Sequence, residues 1–282
     1  MNNQVNIKNI YYSYKKSKKT IFQDFHFDID SGKNIIGIMG KNGVGKTTLA
    51  KIIAGIYKTD KRTIFINSTD ISNIKASKRT KYASMTFQLV TQAFFKETVL
   101  KEIEFTWKLH NKKGEEDKKR MEIINLLKKY NLEDKAETSP YILSGGEKRK
   151  LSYLLLELVN PQIIILDEPF TGLDFQEKIR FSRFLRSMSN NGKTIIIISH
   201  EIRILSYLVD ELIVIERQTD NEYSEIIFQG SIDEYFHNRD ILGKNLFSIP
   251  PEYIIFQKKK KNGLLDQDYK FSKFLEDITQ KN

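Results

Sequence analysis

Gly40-Lys41-Asn42-Gly43-Val44-Gly45-Lys46-Thr47 is the stretch from which the fold can be read. It fits the pattern G-x-x-x-x-G-K-[ST], and its surroundings matter as much as its letters. Residues 34–39 before it form a short apolar run ending in a glycine-rich turn, the pattern of a buried strand, and a helix is expected to begin near Lys46. Strand, glycine turn and helix start together make a cradle for phosphate. Backbone N–H groups can converge on phosphate oxygens only where no Cβ stands in the way, and a helix N-terminus adds a partial positive charge. Lys46 is expected to reach the β and γ phosphates of a nucleotide, the Thr47 hydroxyl to ligate Mg²⁺, and Thr48 to lie beside them.

Outward from this loop the chain alternates strand and helix. Alternation at Ile21, Phe25, Phe27 and Ile29 reads as a half-buried strand, and further strands are expected at residues 63–66, 82–87, 163–166, 194–199, 212–215 and 226–228. β-branched runs bracketing a helix are the mark of a parallel sheet built from βαβ units. Residues 97–159 read as a helical insertion in which Met121, Ile124, Leu127 and Tyr130 fall on one apolar face. Beyond Gly230 the alternation stops, and Pro250, Pro251 and Gly263 punctuate short helical stretches.

Composition narrows the classes. With no cysteine, disulfides, thiolate metal sites and thiol nucleophiles are excluded together. No apolar run approaches the roughly 18 residues of a membrane helix, and the first residues carry neither the basic start nor the apolar core of a secretory signal. The excess of 46 Lys and Arg over 36 Asp and Glu, a net +10, is dispersed in short groups at residues 15–19, 118–120 and 258–261. The first two read as solvated faces. The last keeps attraction to anionic headgroups as a minor alternative.

Residues 163–168, Ile-Ile-Ile-Leu-Asp-Glu, form an apolar strand ending in two carboxylates at the edge where ligands bind in parallel sheets. Asp167 is a candidate Mg²⁺ ligand, and Glu168 a candidate general base for an attacking water. Either alone could be a helix cap; with a phosphate loop upstream, catalysis is the better reading.

Leu143-Ser144-Gly145-Gly146-Glu147, shortly before that strand, resembles the LSGGQ signature of ABC ATPases, and the resemblance extends over about residues 4–230. It implies a P-loop NTPase of the ABC ATPase type, an α/β fold with a parallel-sheet core, an antiparallel edge subdomain, a helical subdomain at about 89–160 and a small C-terminal helical extension at 231–282. In that family the signature of one subunit caps the ATP held by another, so Ser144, Gly145 and Gly146 are implied nucleotide contacts in trans. A serine and two glycines at a helix start suit an anion. Glu147 stands where glutamine is commoner and is assigned no nucleotide contact. Gln88 resembles the Q-loop glutamine, which is implied to report Mg²⁺ and nucleotide state. Leu173 and Asp174 resemble the D-loop at the dimer interface. His200 resembles the H-loop histidine that contacts the γ-phosphate. Tyr14 resembles the aromatic residue stacked on adenine, with Tyr11 and Tyr12 close enough to compete.

Within the family, Phe94-Phe95 ahead of Glu97-Thr98-Val99, the run Ser144-Gly145-Gly146-Glu147-Lys148-Arg149 and the tail through Ile249-Pro250 resemble the ATPase subunits of energy-coupling factor transporters. This implies ATP and Mg²⁺ as cofactors and a second ABC ATPase subunit, the same or a related chain. It also implies a transmembrane scaffold subunit, a separate substrate-binding membrane subunit for a vitamin or transition-metal ion, and a place on the cytoplasmic face of the membrane. No nucleic acid is expected as a partner; a soluble ABC ATPase acting on nucleic acid or ribosomes is the alternative the net charge leaves open.

Overall fold

The computed structural model describes residues 5–14, 19–29, 34–86, 94–110, 116–217, 223–243 and 249–280. The chain opens with strands β1 (Val5–Ser13) and β2 (Thr20–Ile29), then β3 (Ile35–Gly40), which runs into helix α1 (Lys46–Ile53). Short strands β4 (Ile64–Ile66) and β5 (Thr69–Asp70), the turn α2 (Ala76–Arg79) and strand β6 (Ala83–Thr86) follow. Three helices come next: α3 (Val99–His110), α4 (Glu116–Tyr130) and α5 (Gly145–Val159). Strand β7 (Ile163–Asp167), helix α6 (Phe175–Asn190), strand β8 (Thr194–Ile198), helix α7 (Ile202–Leu208) and strands β9 (Glu211–Arg217) and β10 (Ser224–Gly230) complete the sheets. Helices α8 (Ile232–His237), α9 (Arg239–Gly243), α10 (Pro251–Lys261) and α11 (Phe271–Gln280) close the described chain.

Two sheets form. A four-stranded antiparallel sheet has the order β2-β1-β4-β5, and a six-stranded sheet has the order β10-β9-β3-β8-β7-β6. In the second, β9, β3, β8, β7 and β6 are parallel and β10 joins β9 antiparallel. β3, β7 and β8 are buried on both faces, which is why they read as largely apolar, isoleucine-rich runs rather than as alternation. The sheet order places the C-terminal ends of β3, β8 and β7 side by side, so the loops that leave them share one edge.

Among the described residues the core has three parts. One lies between the two sheets and α1, with Ile7, Phe22, Leu49 and Ile165 among its members. A second packs α6, α7 and the C-terminal helices on the other face of the parallel sheet. Phe256, Phe271 and Phe274 belong to this same cluster as Ile197 and Leu205, so α10 and α11 share the sheet's core. The third holds α3, α4 and α5 together around Trp107, Leu127 and Leu151.

The helical insertion is present, but the buried face of α4 differs from the expected one. Leu127 and Tyr130 are buried as expected, whereas Met121 is 62% exposed and Ile124 38% exposed. Ile123 and Leu126 take the core positions instead. The helix carries apolar residues around more than one face, and the positions of α3 and α5 select which of them is covered.

Candidate active site

The loop between β3 and α1 is built by steric demands at its glycines. A Cβ at Gly40 would lie 2.4 Å from the Ile215 carbonyl oxygen of neighbouring β9. Gly45 has φ 101°, in the left-handed region, and a Cβ there would also meet Ile21 Cγ2 at 2.6 Å. Val44 is buried against the inter-sheet core and pins the loop, while Lys41, Asn42 and Gly43 face outward. Lys46 is 8% exposed. Its ammonium donates to the carbonyls of Gly40 at 2.7 Å and Lys41 at 3.0 Å, closing the loop around the cation. Burial pushes its pKa below the ordinary lysine value, opposed by the charges of Glu168 and Asp167.

Thr47 and Asp167, 120 residues apart, meet where α1 begins and β7 ends: the Thr47 hydroxyl donates to Asp167 Oδ2 at 2.7 Å. A hydroxyl and a carboxylate oxygen side by side at the mouth of a phosphate loop are hard oxygen donors of the kind Mg²⁺ takes alongside phosphate oxygens. The next residue, Thr48, is buried, and its hydroxyl lies 2.6 Å from that of Tyr14. Tyr14 stands edge-on to Tyr12 and to Tyr57, which stack on each other at 5.4 Å and 10°. Tyr11 is largely exposed.

Glu168 follows β7 with φ 49°, a left-handed conformation that strands rarely contain. Its N–H donates to the Ile198 carbonyl at 2.8 Å, which turns its side chain toward the end of β8. There Oε1 lies 2.8 Å from His200 Nδ1, and Oε2 accepts from the Ser199 hydroxyl at 3.3 Å. The three loops at the ends of β3, β7 and β8 thus gather a glycine-rich turn, a hydroxyl–carboxylate pair and a carboxylate held by a histidine.

Ser144 caps α5. Its hydroxyl accepts from Glu147 N–H at 3.3 Å, and Glu147 Oε2 accepts from Ser144 N–H at 2.8 Å. Hydrogen bonds from the Ser144 backbone and hydroxyl hold the Glu147 carboxyl below the usual range, with Lys135 adding its charge. The carboxylate at this position is therefore engaged within its own helix start. Gly145 and Gly146 have open space on all sides where a Cβ would project. Asp174 caps α6 in the same way, accepting from Glu177 N–H at 2.7 Å. Arg149 of α5 lies 3.4 Å from Glu177, tying the two helix starts together. Gln88 lies outside the described residues.

Three contributors were not singled out from sequence. Ser199 braces both Glu168 and the Glu201 N–H, the latter at 3.1 Å. Tyr57 completes the aromatic group beside Tyr14. Arg79, 2% exposed, donates to the carbonyls of Ile52 and Ile53 at the end of α1 and to that of Ser72. Each lies outside a recognisable motif, although Ser199 directly follows a strand and adjoins the histidine.

Comparison with known proteins gives the family. The ABC transporter family model matches residues 22–171. The energy-coupling factor transporter ATP-binding protein EcfA2 of Caldanaerobacter subterraneus subsp. tengcongensis is 30% identical over 270 residues, 92% of this chain and 90% of the relative. Proteins of Clostridium tetani and Onion yellows phytoplasma, named as ABC transporter ATP-binding proteins, are 30% and 29% identical over 90% and 95% of the chain. The chain spans about half the length of these two, 54% and 45%. The structure of cbiO1 from Clostridium perfringens, described as part of the ABC transporter complex cbiONQ, matches with TM-score 0.69 and 25% identity over 90% of this chain and 98% of that one. A family match over more than half of the 282 residues and a relative alike over nearly its whole length place this chain in the ABC transporter family of ATP-binding proteins.

Proposed function

We propose that this chain is the ATP-hydrolysing subunit of an ABC importer of the energy-coupling factor type. The observation that carries the hydrolytic reading is the Glu168–His200 contact of 2.8 Å beside the Thr47–Asp167 pair. The kinship with EcfA2 and cbiO1 supports the transporter type.

In this reading the loop from Gly40 to Thr48 binds the ATP phosphates through its backbone N–H groups and the Lys46 ammonium, and Tyr14 meets the adenine. Thr47 and Asp167, with Gln88, hold Mg²⁺, which when bound neutralises charge developing on the phosphate oxygens. Glu168 takes the proton of the attacking water. Oε1 is committed to His200, so Oε2, with its longer contact to Ser199, is the freer acceptor. His200 orients the carboxylate and reaches the γ-phosphate. Ser144, Gly145 and Gly146 close over the nucleotide of a second ABC ATPase subunit, and Asp174 lies at that dimer interface.

Residues 1–230 form the ATPase unit and 231–282 an appended helical part. The pair works on a transmembrane scaffold subunit at the cytoplasmic face of the membrane. A separate membrane subunit carries the vitamin or transition-metal ion, which never touches this chain. Two variants test the chemistry: Lys46→Ala is expected to lose ATP binding, and Glu168→Gln to keep binding, stop turnover and trap an ATP-bound dimer. Undiminished turnover in Glu168→Gln would sink the assignment. Purification of Glu168→Gln from detergent-solubilised cells tests the partners: multi-span membrane proteins are expected, and ribosomal or DNA-associated proteins alone would overturn the transporter reading.

A further inference from the structure

The C-terminal helices reach the candidate site through one arginine. Helix α10 is seated firmly: Tyr253 stacks on Phe236 at 4.4 Å, and Phe256 is fully buried against Phe271. That packing aims Glu252, in the first turn of α10, at Arg203 of α7. Arg203 Nε lies 2.8 Å from Glu252 Oε1, and a terminal guanidinium nitrogen donates to the same oxygen. The carboxylate side chain is only 12% exposed, Arg203 is the cation paired with it, and the Tyr207 side chain lies against both groups. Two donors fix the plane of the guanidinium, and the same group stands 5.5 Å from the ring centroid of Phe175.

The two ends of this contact are significant. Phe175 is the first residue of α6, directly after Asp174, and is 50% exposed although aromatic. Arg203 comes three residues after His200. Between them, Glu201 pairs with Lys178 of α6. Helices α6 and α7 are thus tied at two points just behind the loops that present Asp174 and His200, and one of these ties is held by the C-terminal part of the chain.

We propose that Glu252, Arg203 and Phe175 form a positioning relay through which the C-terminal helices set the placement of the Asp174 loop relative to His200 and Glu168. None of the three touches the reacting atoms. The relay acts on the rate of the chemical step and leaves the phosphate loop, and hence ATP binding, unaffected. The inference rests on the ATPase reading above.

The test is steady-state ATP turnover by the purified full chain for Glu252→Gln, Arg203→Met, the double variant, Phe175→Ala and Phe175→Tyr, with Tm measured on each and Glu168→Gln alongside. The single variants Glu252→Gln, Arg203→Met and Phe175→Ala are expected to lower kcat about fivefold, the scale of one cation–π contact at an exposed site. KM for ATP should stay near wild type in all three, and so should Tm in Glu252→Gln and Phe175→Ala, whereas Arg203→Met strands the buried Glu252 carboxylate and is expected to lower Tm. The double variant should fall no further than either single one, because both break the same contact, and Phe175→Tyr should restore the rate. Wild-type kcat in the relay variants beside an inactive Glu168→Gln overturns the relay alone. So does a joint shift of kcat, KM and Tm, which marks a merely structural role, or an additive double variant. Full turnover in Glu168→Gln overturns the ATPase reading, and the relay with it.

Discussion

Replacing Gly146 by alanine separates what this chain needs for itself from what a second subunit needs of it. Gly146 is the second residue of α5, has no positive φ, and has no atom within 4 Å of where a Cβ would lie. The fold therefore places no demand for glycine there. Alanine should stabilise the helix slightly, by up to about 0.5–1 kcal/mol, since glycine loses more backbone freedom on folding. At roughly 2–4 °C per kcal/mol for a chain of this size, Tm should stay level or rise by about 2 °C. If the Ser144-Gly145-Gly146 backbone approaches a γ-phosphate held by the partner, a methyl group in that gap displaces a donor from developing charge. Loss of one such donor costs about 10²–10³ in rate. Thermal unfolding and ATP turnover on the same preparation decide the matter. Wild-type turnover in Gly146→Ala would refute the trans contact, and a Tm lowered by several degrees would show that the requirement lies within the chain.

The buried cation Arg79 closes the C-terminal end of α1. Arg79→Met strands the carbonyls of Ile52, Ile53 and Ser72, and is expected to cost about 3 kcal/mol and roughly 6–12 °C in Tm; a Tm within about 2 °C of wild type would contradict that role. For Lys46 the sign follows from its lowered pKa: phosphate favours the ammonium, so ATP affinity should be flat at neutral pH and decline as pH rises through the lowered value, before the ordinary lysine value of 10.5 is reached. Affinity measured by nucleotide fluorescence across alkaline pH checks this, and a decline no earlier than that of an ordinary lysine would show that burial does not govern the group.

The glycine-rich turn between β3 and α1 was legible because several of its positions carry constraints of their own. Gly40 must pass the Ile215 carbonyl, Gly45 must adopt a left-handed φ against Ile21, and Lys46 must close on two carbonyls. These demands are local, and they leave a local pattern. The strands β7 and β8 were legible for a similar reason, since burial on both faces demands apolar residues throughout. The face of α4 was not, because Met121 and Ile124 satisfy helical periodicity as well as Ile123 and Leu126 do. Only the placement of α3 and α5 separates the two sets. Arg79 is likewise invisible in a chain rich in lysine and arginine: its role depends on carbonyls 26 and 27 residues away. Tyr57 differs from Tyr11 in nothing but where the end of α1 delivers it.

Glu168 shows how a demand that spans several elements still leaves a trace. A non-glycine residue at φ 49° is disfavoured by about 1–2 kcal/mol relative to its ordinary conformations. Glycine would adopt that turn without strain, yet it could not supply a carboxylate. The strain is maintained by what surrounds it: the N–H bonded to the Ile198 carbonyl, the hydroxyl of Ser199 and the ring of His200. All three come from β8 or the residues directly after it, so the register between β7 and β8 is what turns the carboxylate away from the path of an ordinary strand. The relay from Glu252 enters the same assembly from behind, three residues past His200. A strained residue is stiff only while its neighbours hold, and anything that shifts the start of α7 therefore moves the carboxylate. That coupling gives the C-terminal helices a route to the rate of hydrolysis without any contact with the nucleotide.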